Sequence, residues 1–521
     1  MILLLLMTFW WLLFLAALGL CIGSFLNVVA YRLPRGQSVW EPRWSACPSC
    51  GHPIRWRDNL PVVSFIVLRG RCRDCRQPIS TQYPIIELLT ALLLMLLFGA
   101  FFVAQTRAGI APQTLTYTWQ IGHDWPIFLA HIILFAALFA MSVIDLEHYW
   151  VDIRFTNLAA LCGFILHMLW TPRSSLAWVR PWDETATVCV AMLLGLAATY
   201  AIMRIMYDPP EFVETPDPEH VEQRPGSLTG GETVVVQASG LHDTAETSAP
   251  QAETVVVQAS GLHGAAGTAP PQHSSRVYGI LAAAGLAAAL LAILVTELLL
   301  SWQLAGMALF VTCSALGLAL IFVLIVCAGL ADRASDEQIV AAIEAERASA
   351  RGMALRELML LSPAILAGGA ALALLWHGVL PMQDIKAVIH WSPVGDWQPL
   401  LGLRTATAGY IIGGAIGWGV RIIFTLVLGK EAFGVGDIHM MAAAGAVAGW
   451  PVVALGFFAA VFLALLAWIL SLPIKRARAI PLGPWLSLGF LIVVLFYDAI
   501  AASPYIASLI TMTNWLLFSH E

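Results

Sequence analysis

Two aspartates are the residues whose type and setting could support chemistry. Asp437 ends the segment Gly434-Val435-Gly436-Asp437, which lies between two long apolar stretches. Asp145 directly follows a third apolar stretch, residues 127–144. Placing an ionised carboxylate at the edge of hydrocarbon is costly, so such residues are rare and usually functional. Two carboxylates in matching settings therefore predict a shared site.

The two glycines before Asp437 allow an unusual backbone. Gly434 and Gly436 lack a Cβ, so they permit a sharp bend and the close approach of another chain. An active-site loop of this kind would hold the Asp437 carboxyl beside an extended peptide. The alternative is structural, with Asp437 serving as the N-cap of a helix that begins at Ile438.

A pair of carboxylates supports hydrolysis without a metal or a nucleophilic side chain. Two carboxyls in one site cannot easily both ionise, so one holds a proton, and the pair can activate a water and protonate a leaving amine. Glu147 and His148, just after Asp145, could tune its protonation. A carboxylate pair in a membrane also suits a proton-coupled transporter, and the pair alone leaves both interpretations open.

Four clustered cysteines form a second constellation, Cys47-Pro-Ser-Cys50 and Cys72-Arg-Asp-Cys75. Two Cys-x-x-Cys pairs predict a tetrahedral zinc site with a structural role, because four thiolates fill the metal's coordination shell and leave no position for water. The alternative, a pair of redox disulfides, is disfavoured in a reducing cytosol. The arginines around the cysteines are explained by membrane topology, so no nucleic-acid partner is predicted.

The elements that position these residues are membrane helices. Of the 521 residues, 59% are hydrophobic and 12% are charged, which lies far outside the soluble globular range. Many apolar runs reach the roughly 20 residues that a helix needs to cross a bilayer. The sequence therefore predicts an all-α polytopic membrane protein of about 12 transmembrane helices, with a small cytoplasmic zinc-binding domain built on the four cysteines.

The predicted order of domains follows from these runs and from local composition. It comprises a first transmembrane helix retained in the mature chain (1–30), the cytoplasmic cysteine domain (31–83), a first half of the membrane core with Asp145 (84–207), a disordered linker (208–275), an inserted transmembrane segment (276–404), a second half of the core with Asp437 (405–503) and a C-terminal tail (504–521). The linker contains an identical repeat of eleven residues, at 232–242 and 253–263.

Charge placement predicts the orientation of the chain. The cysteine domain is rich in arginine, which places it in the cytoplasm by the positive-inside rule. The same rule puts Asp145 and Asp437 on the cytoplasmic face as well. Arg421 is a misfit about two turns inside an apolar helix, where it either snorkels to the membrane surface or pairs with a carboxylate.

The segments that contain these residues resemble the prepilin peptidases, the type IV leader peptidase family of intramembrane GxGD-type aspartic proteases. The resemblance covers about residues 10–205 and 405–500. It is carried by GSFLNVVAYRLP at 23–34, the cysteine segment 47–87, IDLEH at 144–148, GKEAFGVGD at 429–437 and IPLGP at 480–484. By this resemblance, Asp145 and Asp437 are the catalytic aspartates.

The resemblance implies an endopeptidase of the bacterial inner (plasma) membrane that removes the short basic leader from type IV prepilins and pseudopilins at the cytoplasmic face. Such substrates serve type IV pili and type II secretion. Many members also methylate the new N-terminus with S-adenosylmethionine. No glycine-rich cofactor loop is visible here, so methylation rests on the resemblance alone. The expected partners are these substrates and the lipid bilayer, and no oligomeric state is predicted.

The chain departs from the family pattern at three places. His439 stands where the family usually has lysine, and Val151-Asp152-Ile153 stands where it has Ile-Pro-Asp, so either change could alter leader preference. Residues 208–403 have no counterpart and are expected not to take part in the chemistry. Two other functions stay open, a carboxylate-based proton-coupled transporter and an inactive zinc-stabilised scaffold for pilus or secretion assembly.

Overall fold

The computed structural model is built from α-helices. Two isolated β-bridges, Ala46–Pro53 and Arg71–Pro78, are the β-structure found among the residues it describes. Those residues are 2–41, 44–107, 117–148, 151–170, 183–206, 307–329, 347, 349–377, 379, 398–431, 433–471, 481–501, 503–506 and 508. The linker repeat, the first part of the inserted transmembrane segment and the end of the C-terminal tail lie outside them. The predicted all-α class is confirmed.

The helices follow in chain order. The first half of the chain contains α1 (Ile2–Arg32), α2 (Val63–Val67), α3 (Gln82–Phe98), α4 (Tyr117–His148), α5 (Ile153–Met168) and α6 (Asp183–Met206). The second half contains α7 (Met307–Gly329), α8 (Ala350–Trp376), α9 (Gln398–Leu428), α10 (Val435–Ala448), α11 (Trp450–Ser471), α12 (Gly483–Leu495) and α13 (Tyr497–Ala501). A π-helical turn, Gly99–Val103, extends α3.

Six helices in the described part of the chain are long and apolar enough to cross a membrane. They are Leu6–Arg35, Gln82–Val103, Ile121–His148, Ala350–Trp376, Gly402–Leu428 and Trp450–Leu470. Shorter apolar helices lie at Ile153–Met168, Thr187–Ala201, Ser314–Val326, Val435–Ala448 and Gly483–Leu495. The polytopic membrane architecture is confirmed, whereas the total of about 12 spans stays a prediction.

Several helices begin earlier than the sequence predicts. Helix α4 starts at Tyr117 and contains Pro126, because neighbouring helices can compensate for the hydrogen bond that a proline removes. The charged stretch 332–356 predicts an amphipathic surface helix. Helix α8 starts at Ala350, so residues 350–356 instead continue directly into a membrane-crossing helix. Helix α10 starts at Val435, three residues before the predicted start.

Helix α10 lies at the centre of the bundle. It packs against α4, α5, α9, α11 and α12. From Met440 to Ala448 every residue is buried. The sequence explains this position, because the alanines and the glycine at 442–446 let neighbouring helices approach closely. The helix that carries Asp437 is therefore held on several sides.

The cysteine domain is joined to the bundle by polar contacts with α1 and α3. The Asn27 side chain donates to the Tyr83 carbonyl at 3.1 Å. Glu87 of α3 is buried and accepts the Val62 N–H at 2.7 Å and a hydrogen bond from Ser24. The Val62 bond connects the loop before α2 to α3, and the other two bonds join α3 to α1.

Candidate active site and metal centre

Asp145 lies in the last turn of α4, where its side chain is buried. Its Oδ2 accepts a hydrogen bond from the backbone N–H of Gly483, the first residue of α12, at 3.1 Å. The first N–H groups of a helix have no partner within the helix, and the helix dipole favours a negative charge there. The start of α12 therefore suits a carboxylate at this position.

The contact between α4 and α12 depends on close approach. A Cβ on Gly483 would lie 2.8 Å from Asp145 Oδ2, closer than side chains normally allow. One turn further along, the Ser142 hydroxyl donates to the Leu138 carbonyl at 2.7 Å, which leaves it to accept from the Ser487 hydroxyl at 2.8 Å. This row of polar contacts sets the register of α12 against α4 and so positions the Asp145 carboxyl.

Asp437 is the third residue of α10 and is partly exposed. The N-cap of this helix is Gly434, in an extended conformation, and its N–H donates to the Asp437 carboxyl. A side chain at the third helical position that reaches back to the N-cap N–H forms one half of a capping box. The alternative that Asp437 itself caps a helix beginning at Ile438 is therefore wrong.

The fold brings the two aspartates close enough for their charges to interact. Asp437 lies outside the six helices that can cross a membrane, and its burial, followed by the negative charge of Asp145, raises the pKa of its carboxyl. Two carboxyls that repel each other in a partly buried site do not readily ionise together. Such a pair favours the retention of one proton, and acid–base hydrolysis requires that condition.

Gly436 connects the Asp437 loop to the segment after Asp145. A Cβ on Gly436 would lie 2.4 Å from the Cβ of Val151, so only glycine lets the two segments pack this closely. Val151 precedes Asp152, the N-cap of α5, whose side chain accepts the Arg154 N–H at 2.8 Å. Residues 151–153, which depart from the family pattern, thus form the start of α5.

The residues expected to tune Asp145 have partners of their own. Glu147 Oε1 accepts from the Gln82 side chain at 2.5 Å, which ties the end of α4 to the start of α3. His148 Nε2 lies 3.8 Å from Glu147 Oε2. His439 of α10 is partly buried, and burial lowers the pKa of its imidazole, so it is largely neutral at pH 7. A neutral side chain thus replaces the usual lysine charge of the family.

The four clustered cysteines meet in the fold. The Sγ atoms of Cys47, Cys50, Cys72 and Cys75 all lie within 4.8 Å of one another, and those of Cys47 and Cys75 are 3.9 Å apart. A tetrahedral zinc ion with Zn–S bonds of about 2.3 Å separates its sulfurs by about 3.8 Å, whereas a disulfide needs about 2.05 Å. The residues present therefore fit a tetrahedral metal ion, and the cluster could bind one.

The two Cys-x-x-Cys pairs fold alike. In the first, the Gly51 N–H donates to the Cys47 carbonyl at 2.9 Å, and in the second the Arg76 N–H donates to the Cys72 carbonyl at 3.1 Å. The residue after the second cysteine of each pair has a left-handed backbone conformation, with φ of 71° at Gly51 and 60° at Arg76. The same turn is thus made twice, which points both pairs of thiols at one position.

Several known proteins share these segments. The model of the Bacterial Peptidase A24 N-terminal domain matches residues 17–101. The chain is 40% identical over 153 residues to the prepilin leader peptidase/N-methyltransferase of Myxococcus xanthus, which covers 29% of this chain and 39% of that protein. It is 37% identical over 203 residues to the type 4 prepilin-like proteins leader peptide-processing enzyme of Escherichia coli O78:H11, covering 35% of this chain and 64% of the relative.

The chain is similar to prepilin peptidases over the segments that these matches cover. The prepilin leader peptidase/N-methyltransferase of Pseudomonas aeruginosa adds a match of 35% identity over 156 residues, which covers 25% of this chain and 46% of that relative. The chain thus spans less than two thirds of the length of these prepilin peptidases. No solved structure matches the chain. The family model covers the second half of α1, the cysteine domain and α3, and it ends before either aspartate.

Proposed function

We propose that this chain is a membrane aspartic endopeptidase that removes the short basic leader from type IV prepilins and pseudopilins. The observation that carries the proposal is the meeting of Asp145 and Asp437, from two halves of the chain, as an electrostatically coupled pair. The relatives named as prepilin leader peptidases support the substrate class. Gly434, which is exposed just before α10, leaves room for the substrate backbone, whereas Gly436 is packed against Val151.

In this proposal Asp145 acts as the general base and Asp437 as the general acid. The Gly483 N–H and the start of α12 favour a negative charge on Asp145. Burial and the charge of Asp145 favour the protonated form of Asp437. The pair therefore divides the two roles that peptide hydrolysis needs.

The reaction proceeds by direct attack of water. Asp145 takes a proton from the water while the water oxygen bonds to the scissile carbonyl carbon. Asp437 donates its own proton to the carbonyl oxygen. The tetrahedral intermediate then collapses. The C–N bond breaks, Asp145 passes its proton to the leaving amine, and a hydroxyl of the intermediate returns a proton to Asp437. Both aspartates end in their starting states.

The proposal includes a structural Zn²⁺ ion on Cys47, Cys50, Cys72 and Cys75. Four thiolates would complete its coordination shell, so it would stabilise the cysteine domain and supply no reactive water. The same relatives are also named N-methyltransferases. We therefore propose methylation of the new N-terminus with S-adenosylmethionine as a second activity. No described residue is assigned to that activity.

The proposed active site faces the cytoplasm at the bacterial inner membrane. The bond from Gln82 to Glu147 supports this orientation, because it joins the end of the cysteine domain to the turn that carries Asp145. The arginine-rich composition of that domain favours the cytoplasmic side. Both catalytic carboxyls would then meet leader peptides at the membrane surface.

The test of this function is the cleavage of a prepilin by the purified full-length chain in lipid nanodiscs. The product should appear as a mobility shift, and N-terminal sequencing should locate the cut after the glycine that ends the leader. A transporter or an inactive scaffold would leave the prepilin intact. A folded, membrane-inserted chain that gives no product would therefore exclude the proposal.

Gly436→Ala should lower kcat for cleavage by about 10- to 100-fold, with KM within about twofold of the original chain. The added Cβ would collide with Val151, so the Asp437 loop must move away from the segment that follows Asp145. Steady-state kinetics on a prepilin peptide measures both constants.

Gly122→Ala is the matched control for this change, because a Cβ at Gly122 would have open space around it. It should leave both kinetic constants unchanged. Val151→Gly, added to Gly436→Ala, removes the colliding Cβ and should restore part of the lost kcat. An unimpaired Gly436→Ala enzyme would show that this contact does not position Asp437.

A further inference from the structure

Arg421 is a buried cation within α9, a helix long enough to cross a membrane. A charge in such a place needs a partner. Its Nε donates to both carboxylate oxygens of Glu357, at 3.0 and 2.9 Å, and its Nη2 donates to Glu357 Oε1 at 2.8 Å. The sequence left two alternatives for Arg421, snorkelling to the membrane surface or pairing with a carboxylate. The structure shows the pairing.

The other end of the guanidinium binds the segment before the Asp437 loop. Arg421 Nη1 donates to the Glu431 carboxylate and to the Phe433 carbonyl. Phe433 directly precedes Gly434, the N-cap of α10, and its side chain is buried with an edge contact to Phe457. The guanidinium thus holds the backbone position from which the Asp437 loop begins.

Glu357 comes from α8, which lies in the part of the chain without a counterpart in the family resemblance. A second residue of α8, Arg351, donates from Nε to the Leu426 carbonyl at 3.1 Å. Leu426 is in the last turn of α9, where backbone carbonyls have no partner within the helix. Helix α8 therefore contacts the end of α9 twice, on the side from which the chain leads into the Asp437 loop.

We propose that α8 positions the Asp437 loop through Glu357 and Arg421, so that the inserted segment is part of the catalytic apparatus. A guanidinium has a rigid fork of N–H donors, and its two-point contact with Glu357 fixes the direction of Nη1. Without Glu357 the fork can turn, and the Phe433 carbonyl loses a fixed donor. This role argues against the expectation that residues 208–403 take no part in the chemistry, and its catalytic consequence rests on the proposed function.

The test compares the full-length chain with Glu357→Gln in nanodiscs by two measurements. The first is prepilin cleavage, where kcat should fall about tenfold and KM should stay within about twofold, because the aspartates are misplaced and the substrate surface is unchanged. The second is hydrogen–deuterium exchange without substrate. Exchange should become several-fold faster in residues 429–437 and stay unchanged in the cysteine domain.

Arg356→Gln is the matched control, since Arg356 is an exposed neighbour of Glu357 on the same helix. It should change neither kcat nor exchange. If Glu357→Gln does not accumulate in the membrane, Glu357→Asp replaces it, with smaller changes expected in the same directions.

Unchanged exchange in residues 429–437 would overturn the proposal, as would unchanged kcat in an active enzyme. If the original chain cleaves nothing, the proposed function fails, and exchange alone still decides whether α8 holds the loop.

Discussion

Asp145→Asn and Asp437→Asn should each lower prepilin cleavage by about a thousandfold or more, to the background of the assay. Asparagine keeps the size of the side chain but can neither accept a proton from water nor donate one to the carbonyl oxygen. Each change removes one of the two roles that the coupled carboxyls divide between them. Cleavage of a purified prepilin, followed by mass spectrometry of the product, measures the loss.

The control for these two variants is Asp498→Asn. Asp498 is also a partly buried aspartate, but it lies beyond the far end of α12 from Gly483, where its backbone N–H donates to the Thr106 carbonyl. The Asp498→Asn variant should cleave prepilin at the rate of the original chain. All three variants should insert into the membrane and keep their metal content. Full activity in either Asp145→Asn or Asp437→Asn would remove the proposed mechanism.

Replacing any one of Cys47, Cys50, Cys72 or Cys75 with serine should cost the protein its single equivalent of zinc. Three thiolates and a hydroxyl form a much weaker site than four thiolates, because the hydroxyl is a poor zinc ligand. Structural zinc in small domains contributes on the order of 10 kcal/mol, so its loss should unfold the cysteine domain. Elemental analysis measures the zinc, and limited proteolysis of residues 44–81 reports the unfolding.

The control here is Cys21→Ser, because Cys21 is an exposed cysteine on α1, away from the cluster. It should retain one zinc per chain and resist the protease. Finding two disulfides and no metal in the original protein would contradict the assignment. Full zinc content after the replacement of one clustered cysteine would also contradict the assignment.

Helix α10 is held by a buried arginine at each end. Arg421 binds the Phe433 carbonyl just before the helix starts, and Arg107 donates to the Ala448 carbonyl at its last residue, at 2.9 Å. A cation at a helix C-terminus also interacts favourably with the helix dipole. The position of Asp437 relative to Asp145 thus depends on contacts at both ends of a central helix.

Much of the architecture is determined by local sequence. Long apolar runs predict membrane helices wherever they occur, because each must satisfy its backbone hydrogen bonds internally. The two Cys-x-x-Cys pairs predict one metal cluster, since each pair already folds into the turn that its own residues favour. The positions of Asp145 and Asp437 at the ends of apolar runs likewise single them out by sequence alone, and the surrounding segments carry the resemblance to the prepilin peptidases.

The tertiary structure alone decided how these parts meet. Hydrophobic periodicity shows which faces of a helix are apolar, but it does not show which distant segment packs there. The Gly483 N–H for Asp145, the Val151 side chain against Gly436 and the Glu357 carboxylate for Arg421 all come from other elements. The sequence marked Arg421 as unusual because a lone charge in an apolar helix needs a partner, yet only packing could select that partner.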